Sequence, residues 1–249
     1  MSNDDLILAL ECRLINAWPS FDYQLYDGWL LRLAKGYSKR ANSATPLSRG
    51  ASLDEGLLAH MIEHFLAENV RPTFRLNSLE DDGVDAFLAG QGFQVIEPTS
   101  VLARVLPDDC MLDPAMTIEP QATLRWVRET ARAYGGDKAN DEILWKIVMR
   151  IRQKAAFATL NLDERPVAWG LAVLERGWVG LYDIVVEPEL RGIGLGRRMV
   201  SSLLAWGAEQ GASHVYLQVR DDNSVAQGLY RSLDLERVYG YTHRVMSGP

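Results

Sequence analysis

The sequence has 249 residues, of which 47% are hydrophobic and 24% charged, a balance typical of a globular protein with one large or two small domains. Its net charge of −7 arises in residues 1–110, which hold 9 Lys and Arg against 16 Asp and Glu, whereas residues 111–249 hold 17 of each. Because no basic excess offsets phosphate charge, this composition argues against nucleic acid as the main partner.

The N-terminus and the cysteines bear on the cellular compartment. The first residues, MSNDDLILALECRL, carry acidic side chains where a secretory signal carries basic ones, and no run approaches the roughly 18 apolar residues of a membrane span. Cys12 and Cys110 are far apart and lack the spacing of a metal site. We therefore expect a cytoplasmic protein with no membrane partner, no disulfide framework and no metal.

Residues 1–110 contain alternating strand and helix signals. A hairpin is predicted at Asp27-Gly28, with a strand on each side. Further along, the periodicity predicts a helix in LDEGLLAHMIEHFLAEN, a strand in RPTFRLNS, a helix in GVDAFLAGQGF and a strand in VLARVL. This order predicts a module with a mixed sheet flanked by helices.

The first of these predicted helices contains a metal-like pattern. His60, Glu63 and His64 spell His-x-x-Glu-His, a zinc motif of one metalloprotease class. A zinc site needs a further ligand, and the other two histidines, His214 and His243, fall in the other half of the sequence. We interpret the segment as an ordinary surface helix.

A stretch rich in proline and aspartate, PDDCMLDP at residues 107–114, predicts a linker between domains 1–110 and 111–249. In the second domain, helical spacing is present in EPQATLRWVRETARAYGG and NDEILWKIVMRIRQK. Three strands with short turns follow in AAFATLNLD, VAWGLAVLE and WVGLYDIVV, then a helix, a strand, a helix and a strand. This order predicts an α/β fold of the mixed α+β kind, with a mostly antiparallel sheet flanked by helices.

Three alternating glycines, Gly192, Gly194 and Gly196, lie between the third of these strands and the next helix. Glycines in this position allow backbone N–H groups to form a nest beside the helix N-terminus, an arrangement that binds phosphate. A P-loop requires Lys followed by Ser or Thr, and a Rossmann fingerprint requires glycine at position 197. Arg197 and Arg198 stand at these places, so neither motif fits.

The glycine segment resembles the GCN5-related N-acetyltransferase (GNAT) superfamily. The pattern Gln/Arg-x-x-Gly-x-Gly/Ala of that family is present from Arg191 to Gly196, and its later Asn-x-x-Ala-x-x-Leu-Tyr is present from Asn223 to Tyr230. The segment LYDIVVEPELRGIGLGRR is most similar to the ribosomal-protein N-terminal acetyltransferase branch. The resemblance covers about residues 115–246, and the predicted order of elements is that of the family.

The resemblance implies acetyl-CoA as co-substrate. It places the pyrophosphate on the glycine segment, at Arg191, Gly192, Ile193, Gly194, Leu195, Gly196 and Arg197. It places the pantetheine arm along the edge of the preceding strand, at Ile184, Val185 and Val186, with a further contact from Asn223. It assigns Tyr230 as the catalytic residue that protonates the departing thiolate.

Two positions depart from the closest branch. Gln218 stands where that branch has a glutamate, and an amide does not accept a proton. We therefore expect a base acting through water, with four candidate relays: Tyr182, Asp183, Glu142 and Glu175. The segment Ser232 to Leu235 replaces the usual Leu-Gly-Phe and removes the glycine that ends the helix.

The predicted reaction is direct acetyl transfer to a primary amine, and the predicted acceptor is a small amine or amino acid. Two alternatives stay open: a protein N-terminus as acceptor, and a non-catalytic acyl-CoA-binding module or sensor. Residues 1–110 repeat the element order of the second half, but the segment PLSRGASLDEG lacks alternating glycines. We expect a degenerate module there that binds no CoA, as in tandem members of the family, and the oligomeric state, including a homodimer, stays open.

Overall fold

The computed structural model describes residues 2–107, 110–135 and 138–247, with side chains for all of these except residues 138–140. The chain divides into two compact units. The first comprises Met1–Ser100, Arg220–Asp222 and Tyr239–Pro249, and the second Val101–Val219 and Asn223–Val238. Each unit combines strands and helices, which confirms the predicted α+β fold with two modules.

The first unit contains three helices and most of six strands. In chain order these are α1 (Asn3–Ala17), β1 (Asp22–Tyr26), β2 (Trp29–Leu33), β3 (Ala44–Pro46), α2 (Glu55–Ala67), β4 (Thr73–Leu76), α3 (Val84–Gly90) and the beginning of β5 (Phe93–Val105). Its sheet has the order β1-β2-β3-β4-β11-β5, in which β11 is the last strand (Glu236–Met246). Strands β3 and β4 are parallel, and β1, β2 and β3 form an antiparallel meander.

Helix α1 is not among the predicted elements. Its N-terminus is a capping box, in which Asp5 N donates to Ser2 Oγ over 3.1 Å and Ser2 N donates to Asp5 Oδ2 over 3.0 Å. The helix buries Ile7, Leu10 and also the carboxylate of Glu11. A charged residue at a buried position interrupts the apolar stripe, and this explains why the periodicity did not reveal the helix.

The second unit contains the other four helices and most of the remaining strands. These are β6 (Met116–Glu119), α4 (Leu124–Tyr134), α5 (Lys138–Val148), β7 (Lys154–Leu162), β8 (Arg165–Glu175), β9 (Trp178–Val186), α6 (Leu195–Glu209), β10 (His214–Arg220) and α7 (Ser224–Arg231). The strand order is β5-β10-β9-β8-β7-β6. Strands β7, β8 and β9 form the predicted antiparallel meander, whereas β9 and β10 are parallel.

Helix α6 packs on one face of the strands of the second unit. Met199, Val200 and Leu203 of α6 are fully buried in a core with Val179 and Leu181 of β9. This packing fixes the direction in which α6 leaves the end of β9. The short segment between them is the one that carries the glycines.

The predicted domain boundary and the observed units divide the chain at different places. Strand β5 contributes residues to both units, and the end of β11 returns to the first unit instead of remaining with the second. The assignment of 1–110 as a module without CoA and of 111–249 as the catalytic domain stays a prediction. Within the described part of the chain, no helix combines the length and apolar character needed to cross a membrane.

Candidate active site

The two parallel strands in the middle of the second unit separate from each other. Their ladder begins with Trp178 opposite His214 and ends with Leu181 opposite Leu217. Strand β9 then continues to Val186, and β10 continues to Arg220. Two strands that continue beyond the end of their ladder have diverged, so a gap opens between the two strand ends.

A bulge in β9 lies at the point of separation. Against β8, Trp169 pairs with Val185 and Leu171 pairs with Tyr182, so both Asp183 and Ile184 lie opposite Gly170. Asp183 has a φ of 48°, the left-handed conformation typical of the first residue of one bulge type. The extra residue bends β9 and increases its twist, which explains why the strand leaves β10 here.

Gly170 lies opposite this bulge and leaves room for neighbouring side chains. A Cβ atom added to Gly170 would lie 2.8 Å from Ile184 Cδ1 and 3.0 Å from Leu203 Cδ1, closer than packed carbon atoms approach each other. The glycine therefore allows Ile184 to turn onto α6. Of the predicted pantetheine-binding residues, Ile184 is the second residue of the bulge, and Val185 and Val186 follow it.

The glycine segment has the backbone conformation of an anion nest. Gly192 and Gly194 have φ values of 82° and 91°, which non-glycine residues rarely adopt. No atom from elsewhere in the described chain lies within 4 Å of a Cβ placed on either glycine, and both residues are exposed, so the segment is open to solvent. Gly194 is the N-cap of α6 and provides no side-chain cap, so N–H groups in the first turn are free to bind an anion.

The third glycine has a different role. Gly196 lies inside α6 with an ordinary φ, and a Cβ there would contact Leu229 Cδ2 at 3.5 Å and Val186 Cγ2 at 3.8 Å. These are ordinary van der Waals distances, so alanine fits at this position. Of the three predicted glycines, only Gly192 and Gly194 are required by the backbone.

Three arginines connect this segment to the rest of the unit. Arg191 Nε donates to Val186 O over 3.2 Å, and Arg197 donates to Ser232 Oγ over 2.7 Å, at the end of α7. Arg198 forms two hydrogen bonds with Asp113, at 2.7 and 3.1 Å, which lower the pKa of that carboxyl. The guanidinium groups therefore fix the loop and both helices that follow it, and they add positive charge around the nest.

Glu187 was not among the predicted site residues. It follows β9 directly, is 2% exposed, and forms an ion pair with Arg132 of α4. The hydrogen bonds with this carboxylate raise the pKa of Arg132, whose guanidinium also lies 5.9 Å from the Trp169 ring centroid. The available sequence signal was the Glu-Pro pair directly after the apolar run of β9, but the partner of Glu187 lies 55 positions earlier in the chain.

Asn223 and Tyr230 lie at the two ends of α7. Asn223 is the N-cap, and its Oδ1 accepts a hydrogen bond from Ala226 N over 3.1 Å. Tyr230 packs in the core of the unit and is 7% exposed. The two residues are seven positions apart, which corresponds to about 10 Å along the helix axis; Asn223 is exposed, whereas Tyr230 is buried.

The hydroxyl of Tyr230 is held in its protonated form. Burial raises the pKa of this phenol to about 12. Within the part of the chain that the structure describes, no residue forms a hydrogen bond with that hydroxyl. A protonated donor with no protein acceptor is suited to binding a ligand atom.

The candidate proton relays occupy different places. Asp183 lies in the bulge of β9. Gln218, which replaces the expected base, is the first residue of β10 beyond the ladder. Tyr182 shares a hydrogen bond of 2.8 Å with the hydroxyl of Tyr216. Glu175 pairs with Trp178 at the other end of β9, and Glu142 is exposed beside Lys146 on α5.

The His-x-x-Glu-His pattern lies on α2 in the first unit, as an ordinary part of that helix. Nδ1 of His64 lies 2.6 Å from the hydroxyl of Tyr26, and the ring of His60 makes an edge contact with the same tyrosine. Among the residues that the structure describes, no group of three or more His, Cys, Asp or Glu is placed to hold a metal ion.

The separation of two parallel strands beside a glycine-led helix defines the class: the protein is an acetyltransferase with the GNAT fold. More narrowly, the chain belongs to the family described as "Probable histone acetyltransferase Rv0428c C-terminal", whose model matches residues 6–244.

Individual relatives agree with this class. The uncharacterized N-acetyltransferase YobR of Bacillus subtilis is 25% identical over 97% of this chain and 99% of its own length. N-alpha-acetyltransferase RimI of Mycobacterium tuberculosis is 45% identical over 58 residues, which are 23% of this chain and 35% of that protein. The second match echoes the predicted similarity to the ribosomal-protein branch.

Solved structures have the same fold. A GCN5-related N-acetyltransferase from Kribbella flavida superposes with a TM-score of 0.66 and 15% identity, over 99% of this chain and 96% of the other. A tandem GNAT protein from the clavulanic acid biosynthesis pathway gives a TM-score of 0.59 and 14% identity, over 89% and 78% of the two chains. These superpositions show that the chain shares its fold with both structures.

Proposed function

We propose that the second unit transfers the acetyl group of acetyl-CoA to the primary amine of a small molecule. The observation that carries the proposal is the separation of β9 and β10 after Leu181 and Leu217. The gap has an open glycine nest at the end of β9 and a protonated tyrosine on the helix that follows β10.

In this proposal the nest binds the diphosphate of acetyl-CoA. Gly192 and Gly194 turn the backbone, and the first turn of α6 supplies N–H donors and the positive end of the helix dipole. The extended arm of the co-substrate lies along Ile184, Val185 and Val186, whose backbone offers hydrogen bonds on the side away from β8. A backbone N–H in the bulged part of β9 then polarises the thioester carbonyl.

Tyr230 acts on the departing sulfur as a hydrogen-bond donor. A phenol whose pKa is about 12 is a weaker acid than a thiol of ordinary pKa near 8.5. Complete proton transfer from Tyr230 is therefore unfavourable, whereas a hydrogen bond to the developing thiolate stabilises it without transfer. Asn223 supports the same co-substrate from the first turn of α7.

The acceptor loses its proton to water in this proposal. Gln218 lies just beyond the end of the ladder, where the gap begins, and its amide orients a water molecule without accepting a proton itself. An α-amino group of pKa near 8 needs less assistance at neutral pH than a lysine of pKa near 10.4. This difference disfavours a lysine side chain as acceptor. The preference for a small molecule over a peptide N-terminus rests on Gln218 in place of the glutamate of the ribosomal-protein branch and on the additional module in residues 1–110.

A direct assay tests the proposed activity. Release of the CoA thiol from acetyl-CoA is followed with amino acids, polyamines and short peptides as acceptors, each on the wild type and on Tyr230→Phe. We expect turnover with at least one small amine and a large loss in the variant. If CoA raises the melting temperature but no amine is acetylated, the proposed enzymatic function is wrong and the protein is an acyl-CoA sensor.

A protein N-terminus is the second candidate acceptor. The 58-residue match to N-alpha-acetyltransferase RimI supports it. Peptides in the same panel separate the two candidates, because an N-terminal acetyltransferase acts on the peptides and leaves the free amino acids unchanged.

A further inference from the structure

One face of the sheet in the first unit is both buried and polar. Arg32 of β2, Ser43 and Thr45 at β3, Arg75 of β4 and His243 of β11 are each at most 2% exposed. Buried polar groups of this number require hydrogen-bond partners, and buried charges require counter-charges. The proposed acetyl transfer does not use any of them.

The strand registers place these side chains side by side. Leu30 pairs with Thr45, and the N–H of Arg32 donates to Ser43 O, so Arg32 stands next to Ser43. Ala44 is opposite Phe74 in the parallel pair, which places Thr45 beside Arg75. His243 pairs with Arg75. Since side chains alternate between faces, all five point to the same side of four adjacent strands.

The charges on this face do not balance. Arg75 forms two hydrogen bonds with Glu11 of α1, and Tyr239 donates a third to the same carboxylate. The two terminal nitrogens of Arg32 donate to the carbonyl oxygens of Trp18 and Arg40 instead. Two buried guanidinium groups therefore share one buried carboxylate, and within the described residues no second carboxylate pairs with Arg32.

Several polar atoms on this face have no hydrogen-bond partner in the described part of the chain. They are Arg32 Nε, Ser43 Oγ, Thr45 Oγ1, Arg75 Nε and both ring nitrogens of His243. Two of these are cationic N–H donors, and the two hydroxyls are able to donate as well. Burial and nearby positive charges lower the pKa of His243 to about 3, so its ring is neutral and donates one N–H.

We propose that the first unit binds a small anion, a halide or a carboxylate, between Arg32, Arg75 and the hydroxyls of Ser43 and Thr45. Such an ion supplies the missing counter-charge and accepts hydrogen bonds from donors that otherwise have no partner. A water molecule accepts the same hydrogen bonds but leaves the excess charge uncompensated, which is costly in a buried site. The unit then carries a structural anion site of its own, separate from the proposed catalytic gap.

Crystals of the full chain soaked in bromide test the position of this ion. We expect an anomalous difference peak within about 3.5 Å of Arg32 Nε and Ser43 Oγ. A normal water peak without anomalous signal at this position, with bromide bound elsewhere on the same crystals, overturns the proposal. A peak of acetate shape in acetate-grown crystals identifies a carboxylate as the occupant.

Melting temperatures test the same site in solution. At constant ionic strength, gluconate is exchanged for chloride, bromide or acetate, and binding to the folded state raises Tm with the concentration of the ion. We expect a rise of several degrees in the wild type and in Lys35→Met, which removes an exposed charge, but none in Arg32→Met. A Tm independent of all three ions in the wild type, or an equal rise in Arg32→Met, overturns the proposal.

A milder variant covers the case in which Arg32→Met does not fold. Ser43→Ala retains the charge and removes one donor, so we expect the ion concentration for half of the Tm rise to increase several-fold. An unchanged dependence in Ser43→Ala, together with an unchanged dependence in Thr45→Val, contradicts the site. Both variants leave the proposed acetyl transfer of the second unit unaffected, so the two proposals fail independently.

Discussion

Arg132 of α4 and Glu187 after β9 form an ion pair at the base of the glycine segment. The two members differ in exposure: the side chain of Glu187 is 3% exposed and that of Arg132 is 60% exposed. The buried Glu187 carboxylate therefore depends on Arg132 for its counter-charge. The guanidinium of Arg132 is solvated even without Glu187. The ion pair therefore connects α4 to the residue that directly follows β9, ahead of the glycine segment.

This asymmetry predicts unequal costs for the two halves of the pair. Arg132→Met leaves a buried, uncompensated carboxylate and is expected to lower the free energy of unfolding by about 2 kcal/mol. Glu187→Gln replaces the carboxylate with a neutral side chain of the same shape, and is expected to lower the free energy of unfolding by less than about 1 kcal/mol. Urea denaturation of both variants measures the difference, with exposed Arg125→Met as the control for loss of a surface charge. A larger cost for Glu187→Gln than for Arg132→Met would contradict the assignment.

Substitution by alanine is expected to affect CoA affinity very differently at the two glycines at the start of α6. Gly194 has a φ of 91°, so Gly194→Ala strains the backbone by about 1 kcal/mol and tilts the N–H groups of the nest. We expect at least a tenfold increase in the Kd of CoA, measured by calorimetry. Gly196→Ala, two residues along, makes ordinary contacts at 3.5 Å and is expected to change Kd by less than about twofold. Equal losses in both variants would show that the nest does not bind the co-substrate.

Tyr230→Phe removes one hydroxyl from a packed ring. Because that hydroxyl has no acceptor among the described residues, its loss should leave the fold intact. If it stabilises the departing thiolate, kcat falls about 100-fold, whereas the Kd of CoA changes by less than about threefold. Steady-state kinetics with the best amine of the acceptor panel, beside calorimetry with CoA, separates these quantities. A retained kcat would remove Tyr230 from the chemistry.

The same tyrosine predicts a pH dependence of stability. Its pKa is about 12 in the folded protein, against the ordinary value of 10.0 in the unfolded chain. Between these values the folded state holds a proton that the unfolded state has released, so stability decreases as the pH rises. The contribution of Tyr230 should be complete below about pH 10 and about 2 kcal/mol smaller near pH 11.5.

The difference between the wild type and Tyr230→Phe isolates this contribution. Tyr239, whose pKa is also raised by burial, contributes equally to both proteins and cancels. Denaturation at several alkaline pH values should therefore show the wild type losing stability relative to Tyr230→Phe above about pH 10, by about 2 kcal/mol near pH 11.5. If the difference in free energy of unfolding between the two proteins does not change with pH, the phenol of Tyr230 is solvated in the folded protein.

The parts of the site that the sequence predicted are those with a local cause. Gly192 and Gly194 were recognisable because a left-handed backbone requires glycine, and Asn223 because helix N-caps favour its side chain. The bulge at Asp183 was not recognisable, because a non-glycine residue occupies the left-handed position there. The ion pair between Arg132 and Glu187 depends on tertiary packing, which periodicity does not encode.

The end of α7 has Asp234 where the family resemblance leads us to expect a glycine. Asp234 takes a φ of 56° there, and Arg104 bonds to Leu233 O and approaches the Asp234 carboxylate at 3.5 Å. That carboxylate is 85% exposed, so the ion pair contributes little. The hydrogen bond from Arg197 to Ser232 instead holds the helix end.

Two substitutions at this position separate the backbone from the side chain. Asp234→Gly and Asp234→Ala both remove the carboxylate, so their difference reports the cost of a left-handed φ in a residue with a Cβ atom. We expect Asp234→Gly to be more stable than Asp234→Ala by about 1 kcal/mol, measured by urea denaturation. Both should keep wild-type affinity for CoA, because Arg197 still connects α6 to α7 through Ser232. An alanine variant as stable as the glycine variant would mean that this residue relaxes to a negative φ in solution.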